Sequence, residues 1–142
     1  MRIDFRAARL EDFDYCRRLY FAGREDVTPD QEASFLERWI VLEVRLIVCD
    51  GADAGWLQSR TQDNSLYLVQ LFLEPARQGK GIGTQSLKRL AGEAAQAGMP
   101  MTLGVVKSNP AFRLYERLGF RVTHEDDRKF YMKRQCIEGQ PG

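Results

Sequence analysis

A chain of 142 residues suits one compact domain with a sizeable core, and a formal net charge of +1 with 29% charged residues shows neither a basic footprint for nucleic acid nor an acidic tail. Cys16, Cys49 and Cys136 are odd in number and far apart, and His124 is the lone histidine, so neither a structural zinc site nor a disulfide framework is expected. No charged-then-apolar leader opens the chain and no apolar run approaches a bilayer span, which points to a soluble, cytoplasmic protein without a membrane or nucleic-acid partner.

In chain order, RIDFRAA (2–8) reads as a strand, and LEDFDYCRRLYFAGRE (10–25) as a helix with Leu10, Phe13, Arg17 and Tyr20 on one side. SFLERWIVL (34–42) reads as a second, shorter helix. Three strand-like runs follow, VRLIVCD (44–50), AGWLQSR (54–60) and SLYLVQLFL (65–73), joined by the turn signals DGADAG and TQDN that suit an antiparallel meander. TQSLKRLAGEAAQAG (84–98) places Leu87, Leu90, Ala91 and Ala94 at the spacing of one helix face. MPMTLGVV (99–106) is a strand, PAFRLYERLGF (110–120) a helix closed by Gly119, and RVTH and KFYMKR are final strands. There is no internal repeat, and a short loose tail is expected from Glu138 onward. The pattern is mixed α/β.

Between the fourth strand-like run and the helix that follows lies RQGKGIGT (77–84), with glycines at 79, 81 and 83. Glycine is tolerated in such a cluster where the backbone takes unusual dihedrals or a ligand must come close. At a helix N-terminus the unpaired amides and the positive dipole end form a ready phosphate site. A nucleoside-triphosphate loop fails on spacing, because Lys80 is followed by Gly81 and Glu74 stands where the first glycine belongs. A dinucleotide fingerprint fails as well, because Thr84 occupies the place of the third glycine. Q-x-x-G-x-G, from Gln78 to Gly83, remains, beside the plainer reading of a softened turn without a ligand.

A second constellation is KSNPAFRLYERLGF (107–120). Asn109 before Pro110 makes a good helix start, since Asn caps free amides and Pro suits the first helical position. Tyr115 fits an ordinary half-buried aromatic. Taken singly, each residue has a structural explanation.

Taken together and in this order, the strand-Pro-xxQGKGIG-helix segment and NPAFRLYERLGF resemble the linked motifs of the GNAT superfamily of N-acetyltransferases, and the resemblance covers most of the chain. It implies a mixed α/β (α+β) fold: one domain over 1–137, with a mostly antiparallel central sheet splayed at the acetyl-CoA site and flanked by helices, and a tail over 138–142. It implies acetyl transfer from acetyl-CoA to a primary amine, of a small molecule or peptide, by direct attack in a ternary complex, with no metal. A homodimer is compatible with it. On this resemblance Gln78, Gly79, Lys80, Gly81, Ile82, Gly83 and Thr84 bind the cofactor, with the amides from Gly79 to Thr84 holding the pyrophosphate of coenzyme A. The main chain of Leu71, Phe72 and Leu73 holds the pantetheine arm, and an amide there polarises the thioester carbonyl. Asn109 contacts the cofactor arm and Tyr115 protonates the departing thiolate.

The spacing departs from the family in one respect: Asn109 lies six residues before Tyr115, where many members have seven, so Ser108 or Asn109 takes the cofactor contact. Gly104 stands where some relatives carry a catalytic glutamate, and Gln70 stands in the fourth strand in place of an acid. With no side-chain base apparent, a water relay would take the proton of the incoming ammonium. Gln58 and Gln70 are read either as lining an acceptor pocket, together with the loop GREDVTPDQE (23–32), or as ordinary buried amides. A non-catalytic acyl-CoA binding or sensing module on the same fold is the alternative function, with a nucleotide-binding protein as the third.

Overall fold

The computed structural model describes residues 1–136, in the order β1 (Ile3–Ala7), α1 (Phe13–Tyr20), α2 (Pro29–Arg38), β2 (Val44–Cys49), β3 (Ala52–Gln62), β4 (Ser65–Leu73), α3 (Ile82–Gln96), β5 (Met101–Val106), α4 (Ala111–Arg117), β6 (Arg121–Glu125) and β7 (Lys129–Arg134). The tail expected from Glu138 lies outside the described residues. Seven strands are ordered β1-β2-β3-β4-β5-β7-β6; β4 and β5 pair in parallel, while β1 with β2, β2 with β3, β5 with β7 and β6 with β7 pair antiparallel. The expected mixed α/β fold is thus present. By their contacts the described residues form two compact units, residues 1–58 with 70–82, and residues 59–69 with those from 83 onward.

In the first unit the hairpin turns follow local chemistry. Asp50 and Gly51 have φ of 49° and 85°, the paired left-handed conformations of a two-residue hairpin loop, which Asp and Gly tolerate best. An aromatic cluster fills this unit around Phe35, whose ring centroid lies 4.8 Å from Tyr20, 5.5 Å from Phe13 and 6.1 Å from Trp56. Cys16, Leu19, Phe21, Trp39, Val44 and Leu46 complete it. Burial pushes the Cys16 thiol up to about 12, so it packs as a small apolar group.

Two helices of this unit differ from expectation. Leu10 belongs to a 3-10 turn, Leu10–Asp12, and is 75% exposed, whereas α1 buries Cys16 and Leu19. A 3-10 turn advances the chain faster than an α-helix, so a face counted from Leu10 loses phase before Phe13. α2 begins five residues before the expected Ser34, because Thr28 and Gln31 form a reciprocal capping box around Pro29. Trp39 then leaves the helix, and Val41–Glu43 continue as a 3-10 turn.

In the second unit Asp63 and Asn64, with φ of 52° and 58°, turn β3 into β4. α3 buries the expected Leu87, Leu90, Ala91 and Ala94, and β5 alternates, with Met101, Leu103 and Val105 buried. Phe120 and Met132 complete this core. α4 starts at Ala111, one residue later than expected, and closes at Gly119, whose φ of 96° is the left-handed stop that the sequence suggests.

Candidate active site

The end of β4 is shaped by a glycine on its neighbour. A Cβ placed on Gly55 of β3 would sit 2.2 Å from the Phe72 carbonyl oxygen and 3.0 Å from Leu73 Cα, so only glycine lets the two backbones meet there. The Glu74 amide then donates to the Ala54 carbonyl at 2.8 Å. Phe72 turns its ring into the first unit's core, stacked on Trp56 at 5.3 Å and edge-on to Tyr20 at 5.3 Å, which leaves only its main chain for a ligand. Leu71 and Leu73 alternate to the opposite strand face. The parallel ladder with β5 joins Leu66–Leu68 to Met101–Leu103, and Leu71–Leu73 lie beyond it along β4. Nothing in the reading of AGWLQSR singled out Gly55, although a glycine inside a strand pattern signals close backbone approach.

After β4 the chain makes a 3-10 turn, Pro75–Arg77, and reaches the glycines. Gln78 Nε2 donates to the Leu73 carbonyl at 3.3 Å and the Gln78 amide to the Pro75 carbonyl at 3.3 Å, so this residue ties the loop to the strand end, and the amides left for a ligand begin at Gly79. Gly79 and Gly81 have φ of 74° and 86°, a conformation costly for any residue with a Cβ. Alternating left-handed and ordinary residues turn successive amides towards a common concavity. The space before the two glycines is open: a Cβ on Gly79 would meet nothing within 4 Å, and one on Gly81 only the Met1 methyl at 4.0 Å. Lys80 is exposed, and Ile82 is buried and opens the 15-residue α3. Gly83 and Thr84 follow in its first turn, where amides have no helical partner. An open cradle of backbone donors at a helix start fits a pyrophosphate.

In the second unit Asn109 Oδ1 accepts from the Ala111 amide at 2.9 Å, so its oxygen caps α4 as the sequence suggests, while Nδ2 stays available to donate. Ser108 is exposed. Tyr115 is half-buried with its ring edge-on to Phe120 at 5.8 Å, and burial raises its phenol above the ordinary value of 10.0. It therefore holds its proton throughout the neutral range. A cavity of about 360 Å³ lined by Leu87, Lys88, Ala91, Arg117, Leu118, Phe120 and Arg134 includes neither Asn109 nor Tyr115.

Gly104 cannot host an acid without rearrangement, because a Cβ there would lie 3.2 Å from the Tyr131 ring. Tyr131 is held over it by its own hydroxyl, which donates to Asp126 Oδ2 at 2.8 Å, and by stacking on His124 at 4.6 Å. Gln58 is fully buried, and Gln70 Nε2 donates to its Oε1 at 2.9 Å, so the two amides are joined as the reading of neighbouring strands allowed. Among the described residues no helix is long and apolar enough to cross a membrane, and no group of three or more His, Cys, Asp or Glu side chains could hold a metal ion.

The fold recurs in known proteins. The PaiA N-acetyltransferase of Thermoplasma acidophilum, solved in complex with coenzyme A, matches with a TM-score of 0.74 at 21% identity, covering 95% of this chain and 99% of that one. An acetyltransferase from Thermus thermophilus matches with a TM-score of 0.74 at 22% identity, covering 94% and 97%. In sequence, the L-methionine sulfoximine/L-methionine sulfone acetyltransferase of Salmonella typhimurium is 41% identical over 68 residues, a match that spans 45% of this chain and 40% of that protein. The model of the acetyltransferase (GNAT) family matches residues 8–120, from just before the first helix to the turn that closes α4, and the chain belongs to that family.

Proposed function

We propose that the protein transfers an acetyl group from acetyl-CoA to a primary amine by direct attack within a ternary complex. One observation carries this reading: two left-handed glycines with open space before them lead directly into the N-terminus of a 15-residue helix. The amides of Gly79 to Thr84 would hold the pyrophosphate, with Gln78 fixing the start of the loop, and the main chain of Leu71 to Leu73 would pair with the pantetheine arm as an added strand. Asn109 Nδ2 would donate to the arm. Acetyl-CoA supplies an acyl group activated as a thioester.

The chain's own groups account for the remaining chemistry. A main-chain amide at the end of β4 donates to the thioester oxygen as negative charge grows there. The incoming ammonium first loses a proton to water, since Gly104 lies under Tyr131 and Gln70 carries no acid. The amine nitrogen bonds to the acyl carbon, the carbon–sulfur bond breaks, Tyr115 gives its phenolic proton to the departing sulfur, and the second proton released by the nitrogen leaves through water, which returns a proton to the Tyr115 phenolate. Three free thiols, two of them buried, fit a reducing compartment such as the cytoplasm.

The curated relative's name makes an α-amino group the first acceptor class to try. Isothermal calorimetry with acetyl-CoA, followed by thiol release over a panel of the amino acids, methionine sulfone and short alkylamines, tests the reading. Saturable acetyl-CoA binding with amine-dependent thiol release supports it. Binding without release from any amine would favour an acyl-CoA binding or sensing module, and absence of binding would end both.

A further inference from the structure

The carboxamide of Gln58 is engaged at both ends. Its Nε2 donates to the Arg38 carbonyl, at the end of α2, and to Glu43 Oε1, each at 2.9 Å, and its Oε1 accepts from Gln70 Nε2. These partners fix one another. A carbonyl oxygen and an ionised carboxylate only accept, so the atom facing them is the nitrogen of Gln58. The oxygen of Gln58 must then face Gln70, and Gln70 must present a hydrogen to it. Flipping Gln70 would set two carbonyl oxygens against each other; flipping Gln58 would set its oxygen against both Arg38 and Glu43.

The consequence falls on Gln70 Oε1. Among the described residues it has no donor, on a side chain that is only half-buried. Gln70 immediately precedes Leu71–Leu73 and, two residues from Phe72, shares that residue's strand face. A fixed, unfilled acceptor thus stands one residue from the segment proposed to hold the pantetheine arm. Resting on the acetyl-transfer reading above, we infer that the Glu43–Gln58–Gln70 relay locks Gln70 with Oε1 outward, and that this oxygen binds and aligns the acceptor amine. After the ammonium has lost one proton the amine keeps N–H bonds. One of them donates to Gln70 Oε1 and leaves the lone pair free to attack.

Two substitutions separate this role from a structural one. Gln70→Met has a similar shape but neither donates to Gln58 nor offers a strong acceptor. Gln70→Glu also loses the bond to Gln58 but keeps an outward oxygen. Both variants should melt earlier than the wild type, and both should bind acetyl-CoA within about twofold of it by calorimetry, because the contacts proposed for the pyrophosphate and the arm come from main-chain groups and Asn109, not from the Gln70 side chain. With the panel amine that the wild type acetylates fastest, Gln70→Met should raise the acceptor KM about tenfold or more. Gln70→Glu should stay within about threefold of the wild type. A structural glutamine would make the two variants alike in KM. Unchanged acceptor KM in a folded Gln70→Met that binds acetyl-CoA overturns this inference alone. A wild type that binds no acetyl-CoA, or acetylates no amine of the panel, overturns the acetyl-transfer reading and this inference with it.

Discussion

Tyr115 differs from phenylalanine by one oxygen, and that oxygen separates a packing role from a chemical one. The ring contact with Phe120 at 5.8 Å survives in Tyr115→Phe, while the proton held by a phenol raised above 10.0 does not. If the phenol protonates the sulfur, kcat should fall roughly ten- to a thousandfold with acetyl-CoA affinity unchanged. Steady-state kinetics and a melting curve decide: wild-type kcat in a stable variant would leave water as the donor. Asp126 offers a second measurement at this scale. It accepts from the Tyr131 hydroxyl and from the Arg128 and Lys129 amides, and these bonds, the hydroxyl first, hold its carboxyl at about 2. A depressed carboxyl contributes stability above its ordinary value of 3.8, lost as pH falls towards about 2. Tyr131→Phe removes the largest cause and leaves two amides, so the titration of Asp126 followed by carboxyl NMR should move up part of the way to the ordinary value. No movement would mean the hydroxyl bond does not form in solution.

Elements were legible in the sequence where one local rule decided them. Leu87, Leu90, Ala91 and Ala94 share a face because α3 is an uninterrupted helix, and the Asp50–Gly51 and Asp63–Asn64 turns follow from residues that accept left-handed backbone. Two competing signals hid the rest. The capping box from Thr28 to Gln31 starts α2 ahead of its apolar run, and the 3-10 turn at Leu10–Asp12 shifts the phase of α1. Gly55 was readable only as a glycine in a strand; what it permits depends on Phe72, 17 positions later, which no local pattern reveals. Gly55→Ala should cost about 1–3 kcal/mol or more, since its Cβ would stand 2.2 Å from a backbone oxygen that cannot rotate away. Because Phe72 and Leu73 must then move, acetyl-CoA affinity should fall as well. Denaturant unfolding and calorimetry test both, and wild-type values in each would exclude so close an approach. In the loop, Gly81→Val must adopt φ near 86° with a β-branched side chain, so binding should weaken strongly, while Lys80→Ala should lose less because the amides carry most anion contacts. Equal losses in calorimetry would shift the main contact to the lysine.

At the scale of the whole molecule, the family was readable from two motifs in order, whereas the acceptor was not. The match to the curated relative covers 45% of this chain, and a shared fold leaves the amine unspecified. The groups argued to meet it are Gln70 and water, and the orientation of Gln70 is fixed by Glu43 and Arg38, distant positions that no motif joins. The donor is tested independently of the acceptor through stability. A ligand that binds only the native state adds about 2.7 kcal/mol at a concentration of 100 times its dissociation constant. For a chain of this length that corresponds to a rise in melting temperature on the order of 5–15 °C. Acetyl-CoA should produce such a rise in the wild type and in Tyr115→Phe, and little or none in Gly81→Val. ATP and NAD should fall well short of it, because the glycine spacing matches neither nucleotide loop and only coenzyme A also offers a pantetheine arm for β4 to pair with. An equal rise with ATP would assign the cradle to nucleotides. A full rise in a folded Gly81→Val would place the pyrophosphate away from this loop.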